Sequence, residues 1–172
     1  MNRFAALLGL CAAVIGTPSL AAEQAQARMI NAKGETLGTI ELTQTPNGVL
    51  LKGQIKPLPK GEHAFHVHAV GACDPASGFD SAGGHFALNH KHGFKVEGGP
   101  HPGDIANLQV PEGDSLALES FNPGISLVKG AATSVFDADG SALVIHVNAD
   151  DYETQPTGNA GGRLACGVIQ SR

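Results

Sequence analysis

Apolar and polar positions alternate in short runs along most of this chain, with turn residues between the runs. Residues 25–31 lead through Lys33-Gly34-Glu35 into 39–43, and Thr45-Pro46-Asn47-Gly48 turns into 49–55. Further runs cover 63–70, 105–110, 116–121, 132–136, 143–147 and 163–169. Alternation with a period of two over such short spans predicts half-buried β-strands, so the class expected is all-β. Asn47-Gly48 and Asp139-Gly140 are expected to form hairpin turns. Two long stretches, 71–104 and 148–162, carry no strand pattern. Loops of that length inside a compact domain are functional or disordered. Both hold the unusual residues of the chain, which favours function.

Composition narrows the picture. The chain has 172 residues, one domain's worth, with 42% apolar residues, 23 Gly, no Trp and only 5% aromatics. Its core must therefore be built from Val, Ile, Leu and Ala, which suits short strands and many turns. The first 21 residues read as a cleaved signal peptide, leaving a domain over 22–172. Arg3 supplies the positive start, 4–15 is apolar but too short to span a bilayer securely, and Ser19-Leu20-Ala21 offers a cleavage site. An uncleaved anchor is the alternative. Leu10 is too bulky for the usual acylation site before Cys11, so Cys11 is expected to leave with the leader. Export to the periplasm, or secretion, then makes a Cys73–Cys166 disulfide the expected state, against two free thiols.

The formal net charge is −5 with histidine neutral, and no basic run exists. Nucleic acid is therefore a poor partner, as is a membrane once the leader is removed. Were the substrate a small anion, the overall field would oppose it, and a local positive group would have to attract it.

All eight histidines lie between positions 63 and 146. His66-Val67-His68 sits in an extended run, where residues two apart share a face, so Phe65 and Val67 should enter the core and both imidazoles leave it. That is half a metal site or a pair of satisfied surface histidines. His146 alternates out of a run whose Ile145 and Val147 should point inward; it too is a ligand or a satisfied histidine. The small residues Ser81-Ala82-Gly83-Gly84 precede His85, and His90, His92, His101 and Asp104 follow. Imidazole suits copper and zinc, and three imidazoles with a carboxylate suit tetrahedral zinc; a solvated histidine-rich loop is the other reading.

Residues 61–104 and 140–169 resemble the copper–zinc superoxide dismutase family. The resemblance rests on Gly61-Glu62-His63-Ala64-Phe65-His66-Val67-His68, Ala82-Gly83-Gly84-His85, His101-Pro102-Gly103-Asp104 and the tail Thr157-Gly158-Asn159-Ala160-Gly161-Gly162-Arg163-Leu164-Ala165-Cys166-Gly167-Val168-Ile169. It implies an eight-stranded antiparallel Greek-key β-barrel, an Ig-like sandwich, with two long functional loops. It also implies one copper on His66, His68, His85 and His146, and one zinc on His85, His92, His101 and Asp104. By the same resemblance Asp150 joins His66 to His92, Arg163 is the cation beside the open copper position, Cys73 and Cys166 are the family disulfide, and His63 is structural.

The activity implied is disproportionation of superoxide to dioxygen and hydrogen peroxide, with His85 and Arg163 as catalytic residues. A non-catalytic copper-buffering module on the same fold is the rival; the retained Arg163 argues against it, as storage needs no anion-binding cation. The family includes monomers and dimers, so a homodimer is compatible with it. This chain departs from the family in three places. It is one residue shorter between His85 and His92, which makes His90 a competitor for zinc. Phe94-Lys95 stands where Gly-Pro is common, and 148–162 contains no Lys.

Overall fold

The structure, a computed structural model, describes residues 23–172; the expected leader and Cys11 lie outside them. The strands are β1 (Gln24–Asn31), β2 (Thr36–Thr45), β3 (Gly48–Ile55), β4 (Gly61–His68), β5 (Asp104–Val110), β6 (Leu116–Asn122), β7 (Ala142–His146) and β8 (Arg163–Ser171). They form one sheet in the order β5-β4-β7-β8-β1-β2-β3-β6. Every pairing is antiparallel. The two outer strands, β5 and β6, touch and nearly close the barrel. Because β3 and β4, and β6 and β7, follow each other without pairing, the connections cross in Greek-key fashion.

The alternation works as read. Ala25, Ala27 and Met29 of β1, Ile40 and Leu42 of β2, and Phe65 and Val67 of β4 point into one apolar core. A second cluster lies on the outer wall, where Ala142, Val144 and Cys166 pack under Phe79 and Ala82 of the long loop after β4. All five residues of β7 are therefore buried, with alternate side chains facing different clusters.

Three expectations need correction. Residues 132–136 are not a strand: Ser134 makes only an isolated bridge to Ser126. Side chains engage the neighbouring backbone instead. Asn122 Oδ1 accepts from Gly124 N and Ile125 N, and Gln44 Oε1 accepts from Leu127 N. Asp139-Gly140 consequently turns no hairpin; the Asp139 carbonyl accepts from Gly71 N and ties this segment to the long loop. Val147 does not point inward but is 46% exposed. Strand β7 ends at His146, where its register with β8 slips, and the chain leaves the barrel there.

Candidate metal centre

The site is built on the outer wall of the barrel. Phe65 and Val67 face the core, so the alternation of β4 puts His66 and His68 outside, where the loops bury them. Strand β7 runs alongside and delivers His146 from its end. The chain after β4 folds back on the strand, with Ala69 N donating to Gly84 O and Phe86 N to Val67 O, and this brings His85 over the other three. One ligand-capable atom from each of His66, His68, His85 and His146 lies within 4.8 Å of all the others.

Ring orientations identify which atoms converge. His68 Nδ1 lies 2.9 Å from Gly83 O, and His146 Nδ1 lies 3.3 Å from Gly161 O. A carbonyl only accepts, so both Nδ1 atoms carry the proton and each neutral ring keeps its lone pair on Nε2. Those two Nε2 atoms face each other at 3.2 Å, where neither can donate. His66 Nδ1 and His85 Nε2 are buried with no hydrogen-bond partner among the described residues. Unpaired acceptors are costly in a protein interior, and four imidazole nitrogens aimed together fit a transition-metal cation such as copper or zinc.

A second group collects His85, His92, His101 and Asp104, again within 4.8 Å. Asp104 Oδ1 is 3.3 Å from His85 Nδ1, 3.1 Å from His92 Nδ1 and 3.4 Å from His101 Nδ1. His101 Nδ1 and His85 Nδ1 are 3.3 Å apart. Four ligands about 2.0–2.1 Å from a tetrahedral zinc would be separated by about 3.3–3.4 Å, so the donors sit near tetrahedral spacing. The other oxygen of Asp104 accepts from Gly93 N and His101 N, which fixes the carboxylate.

Asp150 stands between the groups, its Oδ2 2.9 Å from His66 Nε2 and its Oδ1 2.9 Å from His92 Nε2. Gly158 has φ of +64°, and a side chain there would run into the Asp150 carboxylate and come within 2.6 Å of His92 Nε2. Gly93, at φ +98°, lies against the Tyr152 carbonyl. Only glycine suits such close approach in the left-handed region.

Burial sets the protonation states. It holds His68 well below the ordinary histidine value, aided by the charge of His85. Burial lowers His85 to about 4 and, with the field of His66, lowers His146 to about 3. For His92 burial also acts downward, but bonds to Asp104 and Asp150 outweigh it and raise the ring to about 9. Burial alone would raise both carboxyls; hydrogen bonds from the histidines hold Asp104 and Asp150 well below the carboxylate range instead. Neutral imidazoles and ionised carboxylates are the forms that bind metal, so His68, His85 and His146 are ready for it, whereas His92 must give up a proton to bind.

Comparison with known proteins decides the family. The sequence profile described as copper/zinc superoxide dismutase (SODC) matches residues 36–169. The chain belongs to the copper/zinc superoxide dismutase family. It is 44% identical over 164 residues to superoxide dismutase [Cu-Zn] 1 of Aquifex aeolicus, covering 94% of this chain and 96% of that one. Among solved structures, a SOD-like protein from Bacillus subtilis has a TM-score of 0.78 at 36% identity, with 83% and 96% covered. The Cu/Zn superoxide dismutase from Brucella abortus has a TM-score of 0.68 at 28% identity, with 86% and 100% covered. Copper and zinc are thus this chain's cofactors and superoxide its substrate, and the two donor groups suit those metals.

Within this dismutase framework the remaining candidates fall as follows. Arg163 begins β8 beside His146 and donates from Nη1 to Phe79 O at 2.5 Å and from Nη2 to Gly83 O at 2.7 Å. Cys73 and Cys166 form a disulfide with Cα atoms 5.7 Å apart, pinning the loop after β4 to β8. His63 belongs to neither donor group; its ring nitrogens face the carbonyls of Pro59 and His146. His90 is exposed and in neither group as well. Among the described residues no helix is long and apolar enough to cross a membrane.

Sequence reasoning missed three amide side chains that hold this centre in place. Asn122 Nδ2 donates to Pro102 O and Asp104 O. Asn107 brackets the backbone of Asp150, and Gln155 brackets that of His92. The one visible signal was Asn107, a polar residue between Ile105 and Leu108 in a strand.

Proposed function

We propose that His66 Nδ1 and the Nε2 atoms of His68, His85 and His146 hold copper. Zinc would be held by the Nδ1 atoms of His85, His92 and His101 with Asp104 Oδ1. What supports the reading is His85, which offers Nδ1 to one group while its Nε2 has no hydrogen-bond partner. When bound, copper supplies reversible electron transfer that turns two superoxide anions and two protons into dioxygen and hydrogen peroxide, while zinc supplies charge without redox chemistry.

The chain does the rest. Arg163 provides positive charge at the mouth of the copper group, and its two carbonyl bonds fix the guanidinium while leaving other N–H groups for the anion. His85 Nε2 has one lone pair, so it would hold either copper or a proton. When not committed to copper it is the atom that could supply a proton to an anion bound there. Asp150 fixes the tautomers of His66 and His92, because an acceptor at each Nε2 keeps the proton there and turns Nδ1 to the metal.

The enzyme is exported with cleavage after Ala21, a reading supported by the charged, apolar and small-residue order of the first 21 residues. The test is superoxide consumption by protein whose copper and zinc have been measured. One of each per chain with rapid consumption is expected; a copper-loaded protein without turnover would make it a buffering module.

A further inference from the structure

Gln155 is an exposed residue of the loop between β7 and β8, yet its amide is turned inward and fully engaged. Its Oε1 accepts from His92 N at 2.9 Å, and its Nε2 donates to His92 O at 2.8 Å and Glu153 O at 3.0 Å. The reciprocal pair fixes the peptide groups on both sides of one residue, as pairing in a β-ladder would. That residue is completely buried, so its backbone has no free access to water.

The loop that supplies Gln155 is itself anchored to the barrel. Asn107 of β5 accepts from Asp150 N at 2.9 Å and donates to Asp150 O at 3.0 Å, while its own N–H donates to Tyr152 Oη at 2.8 Å. His92 is thus gripped at its ring by Asp104 and Asp150 and at its backbone by Gln155. Asp150 touches both donor groups, since it bonds His66 as well. Gln155 bonds His92 and no residue of the other group.

We propose that Gln155 is a positioning residue for zinc alone: by fixing the backbone of His92 it sets how long zinc is retained, and it leaves copper untouched. The inference rests on the assignment of His92 to zinc made above. Residues that orient metal ligands typically affect affinity by about 10- to 100-fold. Copper should show no such change, because Gln155 bonds none of His66, His68, His85 and His146 and reaches His66 only indirectly, through the ring of His92 and Asp150.

The experiment measures release of zinc and copper separately from the fully loaded, disulfide-intact protein into a chelator. Gln155→Met keeps the reach of the side chain and removes the hydrogen bonds. Gln155→Glu keeps the acceptor for His92 N but sets a carboxylate oxygen against His92 O. Zinc release should accelerate about 10- to 100-fold in Gln155→Met, and at least as much in Gln155→Glu at neutral pH, with copper release within about twofold of the parent. Zinc leaving Gln155→Met at the parental rate would overturn the proposal. So would copper leaving as fast as zinc, since Gln155 would then merely brace the loop. His92→Ala runs alongside: if it retains zinc, the ligand assignment fails; if it loses zinc, the result for Gln155 stands on its own.

Discussion

His68 and His146 face each other through Nε2 atoms 3.2 Å apart, with the Nδ1 of each ring turned to a backbone carbonyl. Two lone pairs so placed repel unless a cation lies between them. Their carbonyl partners, Gly83 and Gly161, belong to different loops, so the arrangement also records how both loops close over β4 and β7. Replacing His146 by Ala should abolish copper binding and leave zinc in place, because no zinc-group atom bonds its ring. Metal analysis of the purified variant checks this; a full complement of copper would refute the assignment.

The neighbours His90 and His92 should separate cleanly. His92 is fully buried with both ring nitrogens against carboxylates, whereas His90 is exposed and outside both donor groups. We expect His92→Ala to lose zinc and His90→Ala to keep it, with copper largely retained in both. Zinc lost from His90→Ala and kept by His92→Ala would reverse the register of the loop.

Arg163 makes no bond to a donor histidine, and the role proposed for it is toward the incoming anion. Arg163→Glu should therefore lower kcat/KM and leave copper content intact. Loss of one charge-assisted contact corresponds to about 1.5–3 kcal/mol, or roughly ten- to a hundredfold in rate. Steady-state kinetics at low ionic strength, with copper quantified, provide the check. An unchanged rate would make Arg163 a fastener for Phe79 and Gly83 only.

The pH dependence of the loop before β8 should carry the mark of Asp151. Its carboxylate accepts from Thr154 Oγ1 and from the backbone N–H groups of Thr154 and Glu153, and these bonds lower it to about 2. A carboxyl depressed by folding stabilises above its unfolded value, near 4, and that contribution fades as pH falls toward 2. The stability difference between the parent and Asp151→Asn should be constant above about pH 5 and shrink steadily below it. Denaturation midpoints measured across that range on metal-free protein test this. A difference that grows with acid would contradict it.

Reduction of Cys73–Cys166 opens a connection across 93 residues of chain. The chain-entropy model places its stabilisation at about 4–5 kcal/mol, with strain reducing the figure. The reduced protein should melt at a lower temperature and release both metals faster, because the loop carrying His85 loses its tie to β8. Equal melting temperatures before and after reduction would exclude a stabilising role. Mass spectrometry should find no free thiol at Cys73 or Cys166 in the oxidised protein.

Much of the donor set was legible because a period of two puts His66 and His68 on the face opposite Phe65 and Val67, and alternation lifts His146 out beside Ile145. Assigning the loop donors needed a family likeness, since nothing local distinguishes exposed His90 from buried His92. What stayed hidden are the residues that grip backbone atoms. Gln155 serves the peptide groups of His92, and a peptide partner is the same at every position and leaves no pattern to read; Asn107, which serves those of Asp150, shows only as a polar residue within a strand. The mistaken strand at 132–136 has a related cause. Val135 is buried as its alternation suggests, but Gln44 and Asn122 occupy backbone groups nearby that a ladder would have paired.

The division of buried apolar residues into two clusters has a consequence for how the protein is made. Leu42, Phe65, Ile145 and their neighbours fill the barrel together with Phe86 of the long loop, while Phe79 and Ala82 pack with Cys166 of β8 on its outer wall. A fold can open locally, in contiguous units less stable than the whole. A newly synthesised chain can complete the barrel while its cysteines are still reduced and its histidines still bare. Oxidation and metal loading can then come late, closing the outer layer over a scaffold that already holds Phe86 beside His85.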